Sequence, residues 1–213
     1  MKTTKLLIAL TLLTTLFSKA QNNGGIKMGV GNTSPKATFH VGGTSANDGF
    51  LVTGTFDQGQ DLNINGAGTR MFFYPKKSAF RAGRVFGNEW DDAQIGNYSS
   101  AWGASTIASA SRSTAWGLFT DASGAQSTAW GENTVASGSR STAWGRLTEA
   151  LGDSSTAWGQ STQAVGDKST AWGDGADASG SRSTAWGDGT LATGDISTAW
   201  GESTLASKIL STA

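Results

Sequence analysis

The stretch Ser127-Thr128-Ala129-Trp130-Gly131, continuing as E-N-T-V-A-S-G-S-R to residue 140, decides the fold of this chain. It begins again at residue 141 as S-T-A-W-G-R-L-T-E-A-L-G-D-S. The pentad S-T-A-W-G starts at residues 113, 127, 141, 155, 169, 183 and 197, and a variant, S-S-A-W-G, starts at residue 99. Every step is 14 residues. A period held without a slip over half of the chain predicts a row of equal structural units.

The pattern within each unit alternates at a period of two, which is typical of strands and not of helices. In S-T-A-W-G, the Ser, Ala and Gly positions share one face, and Thr and Trp share the other. A second group, T-x-A-x-G, alternates in the same way. Each unit is therefore predicted to be one coil of two short strands joined by tight turns. We expect an all-β, parallel β-roll or solenoid of about eight 14-residue coils, with small residues in the narrow coil interior: Ala108, Ala122, Ala136, Ala150, Ala164, Ala178, Ala192 and Ala206.

The outward face of the predicted coils carries one tryptophan per unit. Each indole can bury on the order of 200 Å², and an exposed row of eight would exceed what a soluble monomer usually shows to water. A second copy of the same chain is the simplest cover, and exact repetition favours cyclic symmetry. The period itself does not distinguish two copies from three. The predicted interface between copies consists of Trp102, Trp116, Trp130, Trp144, Trp158, Trp172, Trp186 and Trp200.

The start of the chain has the features of a secretory signal peptide, which we place at residues 1–20. Two lysines precede an apolar run from Leu6 to Phe17, and small residues stand before Gln21. The run is too short to span a bilayer, so no membrane span is expected in the mature chain. Removal of this segment leaves 13 basic against 16 acidic residues, a balance that gives no reason to expect nucleic acid as a partner. The chain has no cysteine, which excludes disulfides and thiolate metal sites.

The repeat resembles the head repeat of YadA-like trimeric autotransporter adhesins, in which S-x-A-x-G alternates with an A-S-G segment. The matching segments here are S-T-A-W-G and the A-S-G triplets that start at residues 122, 136 and 178. The resemblance covers residues 99–213. It implies a left-handed roll, a homotrimer, and a secreted or cell-surface location associated with the outer membrane of a Gram-negative bacterium. The sequence departs from that family in having no coiled-coil stalk and no β-barrel segment after the repeats, so the mode of anchoring is not predicted.

Residues 21–98 are expected to form a small, irregular β region of a fibre-like kind. The segment G-V-G-N-T-S-P at residues 29–35, followed by A-T-F-H-V at 37–41, is similar to a segment of tail-fibre-like secreted proteins best known among Bacteroidetes. The aromatic and basic stretch from residue 72 to 83 resembles the lead-in that those proteins place before YadA-like repeats. The basic run Lys76, Lys77, Arg81 and Arg84, which overlaps this stretch, is interpreted as the solvated charges of a half-buried strand pair rather than as a binding patch for anionic glycans.

Candidate chemistry is sparse. His40 is the only histidine, so neither a histidine metal site nor a nucleophile activated by histidine can be assembled in the repeats. Asp91 and Asp92 are adjacent rather than spaced as ligands for a divalent cation, and a turn beside Trp90 is the better interpretation. We therefore predict no catalytic residues, no metal site and no cofactor.

These observations favour a non-enzymatic, homotrimeric fibre or adhesin head that mediates attachment or acts as a spacer. Possible further partners are glycans or proteins of a host or environmental surface. Their contacts are expected at variable outward positions: Arg112, Glu132, Arg140, Arg146, Lys168, Arg182 and Glu202. The alternative is a monomeric carbohydrate-binding module that uses the tryptophan row as a stacking platform.

Overall fold

The computed structural model describes residues 28–30, 39–41 and 51–213. The chain divides into two compact units, Met1–Val52 and Thr53–Ala213. In the first unit, β1 (Met28–Val30) pairs in parallel with β2 (Phe39–Val41). The predicted signal peptide, residues 1–20, lies outside the described residues. In the described ranges the helical segments are two 3₁₀ turns, Pro75–Lys77 and Asp92–Gln94, and neither has the length or apolarity to cross a bilayer.

The second unit opens with an antiparallel hairpin and continues as a solenoid. The hairpin strands are β3 (Gly68–Tyr74) and β4 (Ala79–Val85). Each coil then contributes one five-residue strand, and these are β5 (Ser100–Ala104), β6 (Thr114–Leu118), β7 (Thr128–Glu132), β9 (Thr142–Arg146), β11 (Thr156–Gln160), β13 (Thr170–Asp174), β15 (Thr184–Asp188) and β17 (Thr198–Glu202). Six coils add a two-residue strand, and these are β8 (Val135–Ala136), β10 (Glu149–Ala150), β12 (Gln163–Ala164), β14 (Asp177–Ala178), β16 (Leu191–Ala192) and β18 (Leu205–Ala206).

The strands form two sheets that run along the solenoid. The longer strands join the hairpin in a ten-stranded sheet, and the short strands form a six-stranded sheet. Pairing between coils is parallel and keeps the 14-residue register throughout, so Trp158 lies beside Trp144 on one side and Trp172 on the other. The predicted all-β fold, a parallel solenoid of about eight 14-residue coils, is confirmed.

The interior of the solenoid is lined by small side chains. Ala143 of the long strand and Ala150 of the short strand are fully buried in the same coil, as are Ser141 and Thr148, which directly precede these strands. Equivalent positions in neighbouring coils repeat this arrangement, so that stacked alanines form one continuous cluster. All eight alanines that the sequence placed inside the coils are at most 1% exposed.

Each coil turns at two residues with left-handed backbone. In the coil of Trp144 these residues are Arg140, with φ of 60°, and Leu147, with φ of 56°. Such a backbone costs a residue with a Cβ about 1–2 kcal/mol. Hydrogen bonds between coils offset this cost: Arg140 donates its N–H to the carbonyl of Ala125 at 2.7 Å, and Leu147 donates to Glu132 at 2.9 Å. The corners are therefore held by the neighbouring coil rather than by local preference.

Candidate functional site

The tryptophan face is the feature that the fold displays most regularly. Each tryptophan stands at the middle of a long strand, between a fully buried Ala and a Gly, and its indole projects away from the coil interior. Because the register is fixed, the eight indoles form one column along the ten-stranded sheet. The tryptophan face consists of these indoles and the outward threonine of each strand, replaced by Ser100 in β5: Trp102, Trp116, Trp130, Trp144, Trp158, Trp172, Trp186 and Trp200.

Most of the indoles stack on one another. Five of the seven neighbouring pairs are stacked, with ring centroids between 4.9 and 5.6 Å apart and interplanar angles between 1° and 13°. The exception is Trp130, which meets Trp116 edge-on at 68° and Trp144 at 60°. Offset stacking contributes about 0.5–1.5 kcal/mol per aromatic pair beyond area burial. Stacking covers ring faces and leaves mainly ring edges toward solvent.

The tryptophan face is only partly covered within a single chain. Trp102, Trp186 and Trp200 are 40%, 36% and 51% exposed, and the other five indoles are half-buried. With full areas of about 200 Å² each, the exposed part of the column is on the order of 400–500 Å². That lies within the range of about 300–600 Å² for the largest apolar patch of a typical monomer, a patch that is often functional. An apolar column of this kind is suited to being covered by a partner surface.

Charged side chains border the tryptophan face along both edges. On the edge where the long strands begin, four coils place a basic residue at the left-handed corner, which we call the basic column: Arg112, Arg140, Lys168 and Arg182. On the edge where the strands end, four coils place an acidic residue, which we call the acidic column: Glu132, Asp174, Asp188 and Glu202. All eight of these residues are exposed. Exposed aspartates stand one residue before three of the corners, Asp153, Asp167 and Asp195, so the edge where the long strands begin carries both signs of charge.

The start of the solenoid is closed by a buried arginine, which corrects one prediction. The basic run of the hairpin was expected to be solvated, but Arg81 is 0% exposed. Its guanidinium donates to the carbonyl of Ser99 at 3.2 Å, to the hydroxyl of Ser99 at 2.9 Å and to the carbonyl of Ala108 at 2.9 Å. Burial lowers the pKa of Arg81 to about 10, which leaves it charged at neutral pH. Arg81 pairs with Ala101 across β4 and β5, so it fills the place of an interior alanine.

Trp90 completes this closure on the second sheet. Its side chain is 1% exposed, and its indole N–H donates to the carbonyl of Thr106 at 2.8 Å. In the next coil the corresponding carbonyl, that of Thr120, accepts the backbone N–H of Ile107 at 2.8 Å. The indole thus replaces the backbone donor that a preceding coil would supply. Trp90 is the one tryptophan outside the column. Because it lies outside the 14-residue repeat, the sequence pattern did not predict this role.

The remaining basic residues of the hairpin have partners. Lys76 pairs with Asp61 at 2.6 Å, and Lys77 pairs with Asp92 at 3.0 Å. The guanidinium of Arg84 lies 4.5 Å from the ring centre of Phe86. These three residues stabilise the hairpin at the start of the second unit and do not form a continuous basic patch.

The paired aspartates lie in a turn next to Trp90, where the sequence placed them. Asp91 accepts the backbone N–H of Gly66 at 2.7 Å, and Asp92 accepts the hydroxyl of Tyr74 at 2.8 Å and the ammonium of Lys77. Burial alone would raise the pKa of Asp92, but the hydrogen bonds from Tyr74 and Lys77 lower it below its usual value. Both carboxylates are engaged structurally, and the described ranges contain no group of three or more His, Cys, Asp or Glu suited to a metal ion. His40 lies in β2, where it pairs with Gly29.

Two aspartates of the solenoid have unusual surroundings. Asp121 and Asp177 occupy the outward position just before the interior Ala of the second group, beside apolar residues of the neighbouring coils, Val135 and Leu191. Burial raises the pKa of both carboxyls, although hydrogen bonds from nearby serines act in the opposite direction. They lie on the other sheet from the tryptophan face and contribute nothing to it.

Comparison with known families identifies the repeat. Residues 122–146 and 150–176 match the model of the YadA head domain repeat, in two copies. The matched segments lie inside the solenoid and hold Trp130, Trp144, Trp158 and Trp172 of the tryptophan face. The resemblance of the repeats to the YadA-like head is therefore confirmed, and residues 122–146 and 150–176 are YadA-like head repeats. No curated protein matches the chain.

Proposed function

We propose that this chain is the head of a non-enzymatic, homotrimeric fibre at the cell surface, which acts in attachment or as a spacer. The observation that carries the proposal is the tryptophan face. Coil interiors are complete with Ala, Ser and Thr, so folding of the single chain does not require large aromatic residues on the outside. Eight indoles kept in one column are explained by a surface that identical copies cover.

The match to the YadA head domain repeat supports this assignment. Heads of that family belong to cell-surface adhesins, and a trimer arranges three outward faces around one axis. On the same resemblance we propose a surface location at the outer membrane of a Gram-negative bacterium. Glycans or proteins of a host or environmental surface are the partners that an adhesive head would contact.

The geometry speaks against the alternative of a carbohydrate-binding platform. Sugars stack on exposed ring faces, but the faces of Trp144, Trp158 and Trp172 lie against one another at 4.9–5.0 Å, with interplanar angles of 4° and 1°. Only ring edges remain accessible along this part of the column. A stacking platform would need indoles that lie flat on the sheet, so the observed column is better suited to packing against other indoles.

Sedimentation equilibrium of the mature chain tests the proposal. The expected result is three times the mass of one chain at micromolar concentration, with tryptophan emission that is blue-shifted and resistant to acrylamide quenching. A monomer under these conditions, with readily quenched indoles, would overturn the proposal.

A matched pair of variants tests the role of the tryptophan face itself. Trp144→Ser removes one indole from the middle of the column and is expected to weaken the trimer. Leu151→Ser makes a similar apolar-to-polar change at an exposed residue of the other sheet and should leave assembly unchanged. Equal effects of the two variants on the trimer would contradict the proposed interface.

A further inference from the structure

We propose that the start of the second unit carries an apolar contact surface for a second copy of the chain, outside the column of indoles. We call its exposed residues the apolar belt: Phe73, Phe80 and Tyr98 on the edge of the tryptophan face where the long strands begin, and Phe86, Leu118 and Phe119 on the edge where they end. The two halves of the belt pack against each other between neighbouring copies. This inference rests on the proposed trimer and adds to its interface residues that the repeat pattern does not predict.

The hairpin continues the outward surface of the tryptophan face by two strands. Phe80 of β4 pairs with Ser100 of β5, and Phe73 of β3 pairs with Phe80, so both rings lie in line with the outward threonines. Side chains alternate along a strand, and the next residue, Arg81, is buried in the interior. Phe73 and Phe80 therefore point outward, where they are 42% and 37% exposed.

The corners beside the first coils differ from those of the later coils. Among the left-handed corners between residues 98 and 210, only Tyr98 and Phe119 are aromatic. Each lies against a second ring: Tyr98 stacks on Phe56 with centroids 4.8 Å apart, and Phe119 lies 6.1 Å from Phe86. Leu118 ends β6, whereas every later long strand ends in a charged residue or Gln. The apolar belt is thus confined to the levels of β3 to β6, a height of about 15 Å.

The exposed area of the apolar belt is large for a surface that faces water. Its six side chains are each between 37% and 50% exposed, so with full areas of about 200 Å² they expose on the order of 500 Å². Together with the tryptophan face, one chain shows about 1,000 Å² of apolar side chain on this side. That exceeds the range of about 300–600 Å² for the largest apolar patch of a typical monomer.

The same areas favour a second copy as the occupant. In a ring of three, each chain divides its interface between two neighbours, so each contact buries in total about the area that one chain contributes. The tryptophan face alone would give about 400–500 Å² per contact, well below the roughly 1,000 Å² expected of a specific interface. The apolar belt raises the total to about that value. Around a three-fold axis, the edge where strands begin in one chain meets the edge where they end in the next, so the two halves of the belt meet at the same levels.

Serine variants of each half test the apolar belt by sedimentation equilibrium. Phe73→Ser/Phe80→Ser and Phe86→Ser/Phe119→Ser should each raise the midpoint concentration for trimer dissociation at least about tenfold, because each removes buried apolar area from every contact. The circular dichroism spectrum should stay unchanged, since these side chains lie outside the coil interior.

The matched control changes two apolar residues of the other sheet. Leu151 and Val165 are exposed to a similar extent, 38% and 40%, and Leu151→Ser/Val165→Ser should leave the midpoint unchanged. If the unaltered protein is a trimer but the belt variants dissociate like this control, the apolar belt is refuted while the trimer stands. If the unaltered protein is a monomer, the proposed function and this inference both fail.

Photocross-linking keeps an aromatic ring in place and so tests the contact even where a serine variant does not fold. With p-benzoylphenylalanine in place of Phe80, irradiation should yield covalent dimers and trimers whose linked peptide contains Phe86, Leu118 or Phe119. Four residues along the strand separate Phe80 from the level of Leu118, about 14 Å, so the ring does not reach it within one chain. Cross-links only within one chain, or only to the edge of another copy where strands begin, would overturn the inference.

Discussion

Glycines in the middle of the long strands offer the sharpest test of how the coils stack. A Cβ added to Gly145 would lie 2.1 Å from the carbonyl oxygen of Gly159 in the next coil, and Gly145 has φ of +120°. Gly201 occupies the same position in the coil of Trp200 and has φ of +104°, but a Cβ there meets only Cγ2 of Thr204, at 3.9 Å. The pair Gly145→Ala and Gly201→Ala therefore separates backbone strain from the steric effect of stacking.

The expected magnitudes follow from these two geometries. Both substitutions force Ala into a backbone conformation that costs on the order of 1–3 kcal/mol. At Gly145 the next coil must also move by about 1 Å to restore an ordinary contact, and overpacking of this kind costs about 1–3 kcal/mol more. Gly145→Ala is thus expected to destabilise the protein by roughly 2–6 kcal/mol, and Gly201→Ala by roughly half of that.

Urea unfolding followed by tryptophan fluorescence and circular dichroism measures the difference. Repeat proteins unfold with nearest-neighbour coupling and need not be two-state, so midpoints at one protein concentration are the quantity to compare. With a slope of about 1–3 kcal/mol per molar urea, the midpoint of Gly145→Ala should fall about 1 M below that of Gly201→Ala. Equal midpoints would refute the reasoning that close approach of successive coils requires glycine in this column.

Three further changes have expected outcomes. Arg81→Met removes the hydrogen bonds from the guanidinium to Ser99 and Ala108, although both carbonyls keep a backbone donor. The first coil should therefore lose about 1–3 kcal/mol and exchange its amide hydrogens faster by mass spectrometry than the last coils do. The pKa of Asp92 is lowered in the folded state, so the stability it contributes is present above the unfolded pKa and lost as pH falls through the folded one; Asp92→Asn should flatten that acid dependence in unfolding titrations. Ile196→Asn replaces a β-branched residue at φ of 56° by one that adopts this backbone more easily, so it should stabilise the protein by about 1 kcal/mol and raise the melting temperature. A lower melting temperature would contradict this.

The repeated part of the fold was predictable because its physics is local and the pattern is redundant. Alternation in S-T-A-W-G assigns Ala143 to the interior and Trp144 to the outside, and the 14-residue period sets the register between coils. Stacking of the indoles follows from that register. The unusual orientation of Trp130 could not be predicted, since its pentad is identical to those of its neighbours.

The closure at the start of the solenoid was missed for a physical reason. A charged residue such as Arg81 is almost never fully buried, and the antiparallel hairpin interrupts the 14-residue period that identified the other interior positions. One signal was available in Gly83, which pairs with Gly103 and has a backbone φ of 136°. It continues the column of glycines one strand before the first S-x-A-W-G pentad.

The left-handed corners were also beyond sequence reasoning. Gly and Asn are the residues that adopt this backbone most easily, but the corners carry Arg140, Leu147 and Lys168 among others. These residues are tolerated because hydrogen bonds between coils hold the corners, which is a property of the stacked array and not of the local sequence. The charge of the corner residues is consequently free to serve contacts outside the chain.

The closing hairpin has a consequence for how the chain finds its fold. Pentads of identical sequence can pair with the wrong neighbour, one whole coil out of step, at little loss of contact energy. The hairpin of β3 and β4 forms from residues close in sequence, and such local structure forms in microseconds. Only the segment that begins at Ser99 accepts the hydrogen bonds that Arg81 and Trp90 donate. We therefore expect folding of the solenoid to start at the hairpin and to add coils one after another toward the C-terminus.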